Sequence, residues 1–139
     1  MITERVVGPV EVYLSALNSG DHFAWGRTLN YPHLRIGVEG ESQVWETQDD
    51  CTVFTTGQVD QFVDLSGWDH SVVDAIDVIQ VAQNAANVAV QISRHDADDE
   101  ILSTSDALYL ITNENGQWGI RARSSFSPSL EIHARYRRW

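Results

Sequence analysis

The spacing of the apolar residues changes about halfway along the chain, near residue 65. Before that point apolar residues recur three and four positions apart, which is typical of amphipathic helices, and after it they alternate in long runs, which is typical of strands. A chain with its helices before its strands favours an α+β fold, in which the helices pack on one face of an antiparallel sheet. No linker-like segment or internal repeat divides the sequence, so we expect residues 1–139 to form a single domain.

Three helices are predicted in the first half of the chain. The first spans residues 8–20, because proline is tolerated in a first helical turn and glycine favours a helix end. The second is capped by Asp21 and stops before Pro32, and the third runs from Thr47 toward Leu65. The predicted buried side of the first two helices carries Val10, Tyr13, Leu14, Leu17, Trp25 and Leu29.

The second half of the chain predicts four long strands. A shorter strand, His33 to Val38, precedes them, and a turn at Gly40 leads into Gln43-Val44-Trp45. Asn115-Gly116 predicts a tight hairpin, because both central positions of a type I′ turn need a positive φ. The four long strands are predicted at roughly Trp68 to Gln83, Asn87 to Asp96, Ile101 to Thr112 and Gln117 to Phe126.

The turns determine which residues share a face of the sheet. We treat Asn115-Gly116 and Asp98-Asp99 as two-residue loops, since directly opposed residues of neighbouring strands point to the same side. One face is then mostly apolar and is predicted to be the interior. It carries Val88, Val90, Ile92, Arg94, Ser105, Ala107, Tyr109, Ile111, Trp118, Ile120, Ala122, Ser124 and Phe126. The reverse face carries Gln91, Ser93, His95, Thr104, Asp106, Leu108, Leu110, Gln117, Arg121, Arg123 and Ser125.

The reverse face mixes acid, arginine and leucine, which is too apolar for plain solvent and too polar for a core. We expect it to be a homodimer interface, with Asp106 and Arg123 forming a cross-strand ion pair. A slip of one residue in register would exchange the two faces. It would place Asp106, Arg121 and Arg123 inside, and an anionic ligand would then be favoured.

The charge of the chain restricts its partners. Acidic residues number 20 and basic residues 9, all of them arginine, for a net charge of −11. Such a surface repels phosphates and anionic lipid, so we expect no nucleic acid and no membrane as partner. No apolar run reaches the ~20 residues of a membrane span, and the first residues lack the pattern of a secretion signal. Cys51 is the only cysteine, which excludes an internal disulfide, and we expect a soluble, cytoplasmic protein.

The order of these features is similar to that of a known family. Three helices before a long-stranded sheet, the segment Val12 to Asp21 (Val-Tyr-Leu-Ser-Ala-Leu-Asn-Ser-Gly-Asp) and the segment Gly116 to Ile120 (Gly-Gln-Trp-Gly-Ile) carry the likeness. Over nearly its whole length the chain resembles the nuclear transport factor 2-like superfamily, and its SnoaL-like and ketosteroid-isomerase-like branches most. The resemblance implies three N-terminal helices packed in a strongly curved, mainly antiparallel sheet. This cone would hold an internal apolar pocket and would dimerise through the outer face of the sheet.

The resemblance implies a pocket more firmly than it implies a reaction. In ketosteroid isomerases a tyrosine on the first helix and a protonated acid on a later strand form the oxyanion hole, and an aspartate just before a proline is the base. Tyr13 matches that tyrosine. Tyr31 stands before Pro32 in place of the aspartate, and the predicted interior face of Ile101 to Thr112 carries no acid. Steroid isomerisation by the family's mechanism is therefore not expected.

Several polar and aromatic residues are predicted to face the pocket. His33 and Arg35 share one face of their strand, and the charge of Arg35 would keep His33 neutral and available as a base. Alternatively, His33 satisfies a buried backbone group. Arg94 could hold a ligand carboxylate or carbonyl, or could extend into solvent beside Asp96. The other candidate ligand-binding residues are Trp25, Tyr31, Trp68, His70 and Tyr109, and ordinary core packing is the alternative for Tyr13, Trp25 and Tyr109.

Two classes of function remain open. In the first, the protein binds a small, partly hydrophobic molecule, and Arg35 or Arg94 meets its carboxylate or carbonyl. In the second, it is a cofactor-free isomerase, cyclase or dehydratase, with His33 as general base and Tyr13 as hydrogen-bond donor to the oxyanion. A further alternative is a protein-interaction domain with a filled cone, in which the space of a ligand is occupied by Trp25, Trp68 and Trp118.

Metal and cofactor sites are not indicated by the sequence. The five histidines show no HxH or HxxxH spacing, and no second thiol accompanies the single cysteine, so no zinc site is predicted. The acidic residues between 96 and 100 lack the ligand spacing of an EF-hand. We therefore expect no metal and no cofactor.

Overall fold

Helices precede strands in the computed structural model of the protein, which describes residues 2–51 and 66–126. The α+β fold predicted from the change of apolar spacing is confirmed. A further helical turn at residues 48–51 begins where the third helix is predicted, and the continuation of that helix toward Leu65 lies outside the described residues. The elements are α1 (Ile2–Ser19), α2 (His22–Arg27), β1 (Leu29–Ile36), β2 (Ser42–Trp45), β3 (His70–Val81), β4 (Ala85–His95), β5 (Ile101–Glu114) and β6 (Gln117–Phe126).

Helix α1 begins earlier than predicted. Pro9 lies inside the helix, whose first residue is Ile2, whereas the sequence predicted a start at Gly8. Val6 and Val10 are both fully buried, four residues apart on one side of the helix. Packing of this apolar side stabilises the extra turns and outweighs the one backbone hydrogen bond that Pro9 cannot donate.

Helix α2 is shorter than predicted and strand β1 begins earlier. Asp21 caps α2 as predicted, since its Oδ1 accepts a hydrogen bond from the Ala24 amide at 3.0 Å. Leu29, predicted on the inner side of α2, instead begins β1 and lies opposite Ile120 of β6. Pro32 is accommodated in β1 because the pairing with β6 is irregular between Leu29 and Leu34.

The six strands form one mixed, curved sheet that does not close, in the order β2-β1-β6-β5-β4-β3. The β1–β6 pair is parallel and the other four pairs are antiparallel, so the sheet is mainly antiparallel as predicted. Helix α1 packs against β3, β4 and β6, and places Tyr13 and Leu14 in the core. The space between α1 and the concave side of the sheet is the interior of the fold.

The predicted hairpin registers hold for most of their length. Asn115 and Gly116 have φ values of 55° and 87°, as a type I′ turn requires. The β4–β5 register agrees with the prediction up to Arg94, which lies opposite Ser103. The β5–β6 register agrees up to Ile120, which lies opposite Ile111.

The register of β6 then shifts by one residue, and the predicted faces are wrong from that point. Leu110 lies opposite Ala122, so Arg121 is the extra residue of a β-bulge. Beyond it the inward side of β6 carries Arg123 and Ser125, both buried, in place of the predicted inward set Ala122, Ser124 and Phe126. The predicted Asp106–Arg123 ion pair does not form, because Asp106 is exposed on the outer face, opposite Phe126, and Arg123 is inside.

Within residues 2–51 and 66–126, no helix is long and apolar enough to cross a membrane. A cytoplasmic location stays a prediction.

Candidate functional site

A cavity of about 130 Å³ lies inside the fold, between α1 and the concave side of the sheet. Its wall combines aliphatic side chains with two tyrosines and three arginines. No carboxylate lines this cavity among the described residues. The lining residues are Tyr13, Leu14, Leu17, Arg35, Ser71, Ile92, Arg94, Ala107, Tyr109, Arg123 and Ser125.

Three strands bring the arginines together. Arg35 of β1 and Arg123 of β6 are register partners in the parallel pair. Arg123 in turn lies opposite Tyr109 of β5. Arg94 reaches the same cavity from β4, two positions beyond Ile92 on the inner side of that strand. Four neighbouring strands therefore contribute cationic and phenolic groups to the cavity, and Arg35, Arg123 and Tyr109 form one cross-strand row.

Arg123 is the most deeply buried of the three arginines, at 7% exposure. Its Nη1 donates a hydrogen bond to the hydroxyl of Tyr13, while its buried Nε has no hydrogen-bond partner. Its Cζ lies 5.4, 5.2 and 5.4 Å from the ring centres of Tyr13, Trp25 and Trp45, within range of cation–π attraction. Burial lowers the pKa of Arg123, but the ordinary value is so high that the guanidinium keeps its charge at neutral pH.

Among the described residues, the charged side chains that line the cavity are all arginines, so they all carry positive charge. Burial and the nearby charge of Arg35 lower the pKa of Arg94 to about 10, against a smaller opposing effect of Tyr109. Burial likewise lowers the pKa of Arg35, and the smaller effects of the nearby Glu41 and Tyr109 oppose this shift. Burial raises the pKa of Tyr109, so its hydroxyl stays protonated and can donate a hydrogen bond. The cavity thus presents hydrogen-bond donors with positive charge, which suits an oxyanion.

Four of the nine candidate residues line this cavity. Tyr13, Arg35, Arg94 and Tyr109 surround it. Sequence reasoning missed Arg123, because the predicted register continued through Arg121 without a bulge. Two signals were available: the register slip considered above, which would place Arg123 inside, and Gly119, since an isolated glycine within a strand often marks a bulge.

Trp25 lies behind the cavity wall. It is buried in the core as predicted, with its ring centre 4.9 Å from that of Tyr13 and 6.1 Å from that of Trp45. It therefore supports Tyr13 and Arg123 from behind without lining the cavity.

Tyr31, Trp68 and His70 do not line the cavity. The Tyr31 hydroxyl donates to the Gly26 carbonyl at 2.6 Å. Trp68 is buried and its Nε1 donates to the Ser71 hydroxyl at 3.0 Å, so it touches a cavity residue without facing the cavity. His70 precedes Ser71 in β3, and successive strand residues point to opposite faces, so His70 lies on the outer side.

His33 is fully buried and lies outside the cavity lining. Its Nδ1 donates to the Ile120 carbonyl at 2.9 Å, and its ring stacks on Trp45 at a centroid distance of 5.5 Å. Burial, and to a smaller extent the charge of Arg121, lower the pKa of His33 to about 4, although the hydrogen bond to Ile120 opposes the shift. The histidine is therefore neutral at pH 7 and satisfies a buried backbone group, which was the alternative given for it. A general base must come within hydrogen-bond reach of a substrate proton, and this packing does not favour that role.

The fold is shared with several solved structures. A protein of unknown function with a cystatin-like fold from Nostoc punctiforme superimposes with a TM-score of 0.72, at 13% identity over 94% of each chain. An NTF2-like protein from Novosphingobium aromaticivorans gives 0.72 at 14% identity, over 95% of this chain and 86% of that one. Aln2 from a Streptomyces species gives 0.72 at 12% identity, over 96% of this chain and 95% of that one. At these identities the likeness establishes the fold alone.

Sequence comparison is informative at the level of the family. A family model with the description NTF2-like protein (DUF6841) matches residues 7–126. No curated protein matches the chain.

Proposed function

The chain belongs to this NTF2-like family, and on that premise we propose that it binds a small, partly hydrophobic carboxylic acid in its interior cavity. The carboxylate is held by Arg35, Arg94 and Arg123, and the tyrosine hydroxyls complete its hydrogen bonds. The observation that carries the proposal is the meeting of three arginines in one cavity whose described lining contains no carboxylate.

The energetics of burial support an anionic ligand. A buried cation is costly unless a counter-charge or a full set of hydrogen bonds replaces its water. Arg123 has three aromatic rings around it, one of which is the phenol that accepts its hydrogen bond, and its Nε is without a partner. A carboxylate in the cavity would neutralise like charges that otherwise repel one another, and planar two-point contact with guanidinium groups suits its geometry.

The size of the cavity limits what fits inside it. A volume of about 130 Å³ corresponds to roughly four water molecules at ~30 Å³ each, enough for a carboxylate and a few carbons. A longer body would extend toward the groove between α1 and β3, which shares Leu14 and Ser71 with the cavity. That groove is lined by Val73 and Ile76 together with polar side chains, among them Glu11 and Asn18. The ligand would therefore be an acid with its charged end inside and its apolar end toward that groove.

Calorimetric titration with matched acids and amides tests the proposal. The probes are acetate, butyrate, hexanoate and phenylacetate, together with hexanamide and phenylacetamide. We expect the longer acids to bind and their neutral amides not to bind. Arg94→Gln should weaken acid binding about 10- to 100-fold, since a hydrogen bond to a charged group contributes ~1.5–3 kcal/mol.

Arg121→Gln is the matched control for this titration. It removes the same charge from the bulge of β6, where Arg121 Nε lies 3.7 Å from Glu114 Oε2 and outside the cavity lining. Its affinity for the acids should equal that of the wild type. Equal binding of acids and amides, or an equal loss in both variants, would contradict the proposal.

The same proposal includes a homodimer formed through the outer face of the sheet. The bulge supports it, because β6 turns Ala122, Ser124 and Phe126 outward beside Leu108 and Leu110, which makes this face more apolar than predicted. Leu110 is 38% exposed there. Sedimentation analysis should show a dimer that Leu110→Arg converts to a folded monomer. Val12→Arg, at an exposed apolar position on α1, should leave the dimer intact.

A further inference from the structure

Two histidines and an aspartate meet on the outer side of the sheet, at the open end of the β3–β4 hairpin. His70 and His95 are direct cross-strand partners, and their rings stack at a centroid distance of 5.0 Å and an angle of 15°. Asp99 follows in the turn between β4 and β5. Its Oδ1 lies 3.3 Å from His70 Nε2 and 3.1 Å from His95 Nδ1. His95 Nδ1 also donates to the Asp99 backbone carbonyl at 3.3 Å, so a metal bound there would replace that proton.

We propose that His70 Nε2, His95 Nδ1 and Asp99 Oδ1 bind a divalent transition metal ion, with Zn²⁺ the best match. All three atoms lie within 4.8 Å of one another. Metal–ligand bonds of ~2.0–2.1 Å in tetrahedral geometry separate neighbouring ligand atoms by roughly 3.3–3.4 Å. Both distances from Asp99 Oδ1 are already close to that separation, and binding requires the stacked imidazole rings to turn about their side-chain bonds until both lone pairs point at one ion.

The surroundings of His70 match those of a metal ligand. Its Nδ1 donates to Asp69 Oδ2 at 2.9 Å. This hydrogen bond places the proton on Nδ1 and turns the lone pair of Nε2 toward Asp99. A carboxylate that orients a histidine in this way is the usual support of a metal-bound imidazole, and its loss typically weakens metal binding 10- to 100-fold.

Backbone contacts hold the three ligands in place. The Asp69 amide donates to the His95 carbonyl at 2.8 Å, which ties the start of β3 to the end of β4. In the turn, Asp96 Oδ1 accepts from the amides of Asp98 and Glu100, both at 2.9 Å. Asp99 has a positive φ of 64° between them, a conformation that aspartate tolerates. The side chain of Asp99 is thereby presented to the histidine pair.

The ligand set also selects the kind of metal. Two imidazoles and one carboxylate suit Zn²⁺, Ni²⁺ and Cu²⁺, whereas Ca²⁺ and Mg²⁺ prefer oxygen ligands alone. Three protein ligands leave a coordination position for water or for a further ligand. His70 and His95 are only half-buried and Asp99 is exposed, so an ion reaches them from solvent. The site is independent of the cavity, because it lies on the opposite face of the sheet.

Titration of tag-free protein, first dialysed against EDTA and then freed of it, tests the proposal. Calorimetry with ZnCl₂ should show one ion per chain, and Co²⁺ should give the visible absorption of a tetrahedral nitrogen–oxygen site. CaCl₂ should give no comparable binding. Saturating Zn²⁺ should also raise the melting temperature, since it binds the folded chain.

Substitutions of the proposed metal-binding residues test whether the ion binds at this cluster. His70→Gln, His95→Gln and Asp99→Asn should each weaken Zn²⁺ binding at least 10-fold, and Asp69→Asn about 10-fold through the orientation of His70. His22→Gln on α2 is the matched control and should bind as the wild type does. Urea unfolding of each metal-free variant establishes that it is folded.

Three outcomes would overturn the proposal. The first is the absence of Zn²⁺ binding by the wild type. The second is binding that survives both histidine variants, which would place the ion elsewhere on this acidic surface. The third is equal binding of Ca²⁺ and Zn²⁺, which would indicate a carboxylate site without imidazole ligands.

Discussion

Two adjacent residue pairs of the β3–β4 ladder have opposite chemical surroundings. Ser71 and Arg94 form one pair and face the interior cavity. His70 and His95 form the next pair and face outward, toward Asp99. The inner pair faces a cavity whose described lining carries three arginines and no carboxylate, and the outer pair joins imidazoles with carboxylates. One step along an extended strand therefore separates the proposed anion site from the proposed metal site.

The difference shows how burial and exposure give charge different roles. Inside, Arg123 is buried against three aromatic rings, one of which is the phenol that accepts its hydrogen bond, so folding bears a desolvation cost that a ligand anion would offset. Outside, water solvates the separate groups, and what matters is the geometry that Asp99 and the histidine pair share. Anion binding in the cavity should therefore depend on the number of positive charges. Metal binding on the outer face should depend on the position of each ligand atom.

The largest expected effect is on the pH dependence of stability, and it comes from the buried histidine, His33. The pKa of His33 is about 4 in the folded chain and about 6.5 in the unfolded chain, so the unfolded state binds more protons between these values. The free energy of unfolding should therefore fall as the pH drops from 6.5 to 4, by about 3 kcal/mol from this residue. Urea unfolding at a series of pH values measures the fall.

Two variants separate this contribution from that of the carboxylates. His33→Asn should be less stable at pH 7 but should show a pH dependence flatter by about 3 kcal/mol, because its side chain carries no titrating group. His22→Gln on α2 is the control for loss of a histidine elsewhere in the chain. An unchanged pH dependence in His33→Asn would show that the buried imidazole does not resist protonation.

Most of the fold was predictable from the sequence because its signals are local. Turn chemistry at Asn115-Gly116 and the alternation of apolar residues fix the β5–β6 pairing near the turn. Asp21 caps α2 through its own side chain, and Trp25 is buried on the side of that helix that the spacing indicates. In each case a few neighbouring residues determine the outcome.

The parts that failed depend on pairing between distant segments. The bulge at Arg121 arises where β6 is paired with β5 on one side and with β1 on the other, and the glycine two residues before it, Gly119, does not by itself specify which residue is the extra one. It alone moves Arg123 from the predicted outer face into the cavity. Likewise, spacing could not indicate the cluster of His70, His95 and Asp99, because the ladder of β3 and β4 brings its histidines together.

A variant with a smaller expected effect tests whether the charge of Arg123 contributes to ligand binding or to the stability of the fold. Arg123→Met keeps an unbranched side chain against the three aromatic rings and removes a buried charge. Replacing buried charges with apolar groups of similar size is often neutral or stabilising, so we expect the free energy of unfolding to stay equal or rise by about 1–2 kcal/mol. Hexanoate binding should fall at least 10-fold in the same variant.

Arg121→Met is the matched control for this test, because it replaces the arginine two residues earlier in the same strand. At that partly exposed position the free energy of unfolding should change by about 0.5 kcal/mol or less, and hexanoate affinity should not change. A loss of more than about 2 kcal/mol in Arg123→Met, well beyond that of Arg121→Met, would mean that the buried arginine is a structural element of the core.

The smallest expected effect concerns the independence of the two faces. Arg94 and His95 are consecutive, yet their side chains lie on opposite sides of the sheet, and the exposed charges of the outer site are screened by salt and water. Saturating Zn²⁺ should therefore change the affinity for hexanoate by about 2-fold or less in 0.15 M salt. Binding linkage is reciprocal, so saturating hexanoate should leave the affinity for Zn²⁺ equally unaffected. Suppose instead that Zn²⁺ changes the affinity for hexanoate 10-fold or more in the wild type but not in His95→Gln. The end of the β3–β4 ladder would then couple the two faces, and the cavity and the metal site would not be independent.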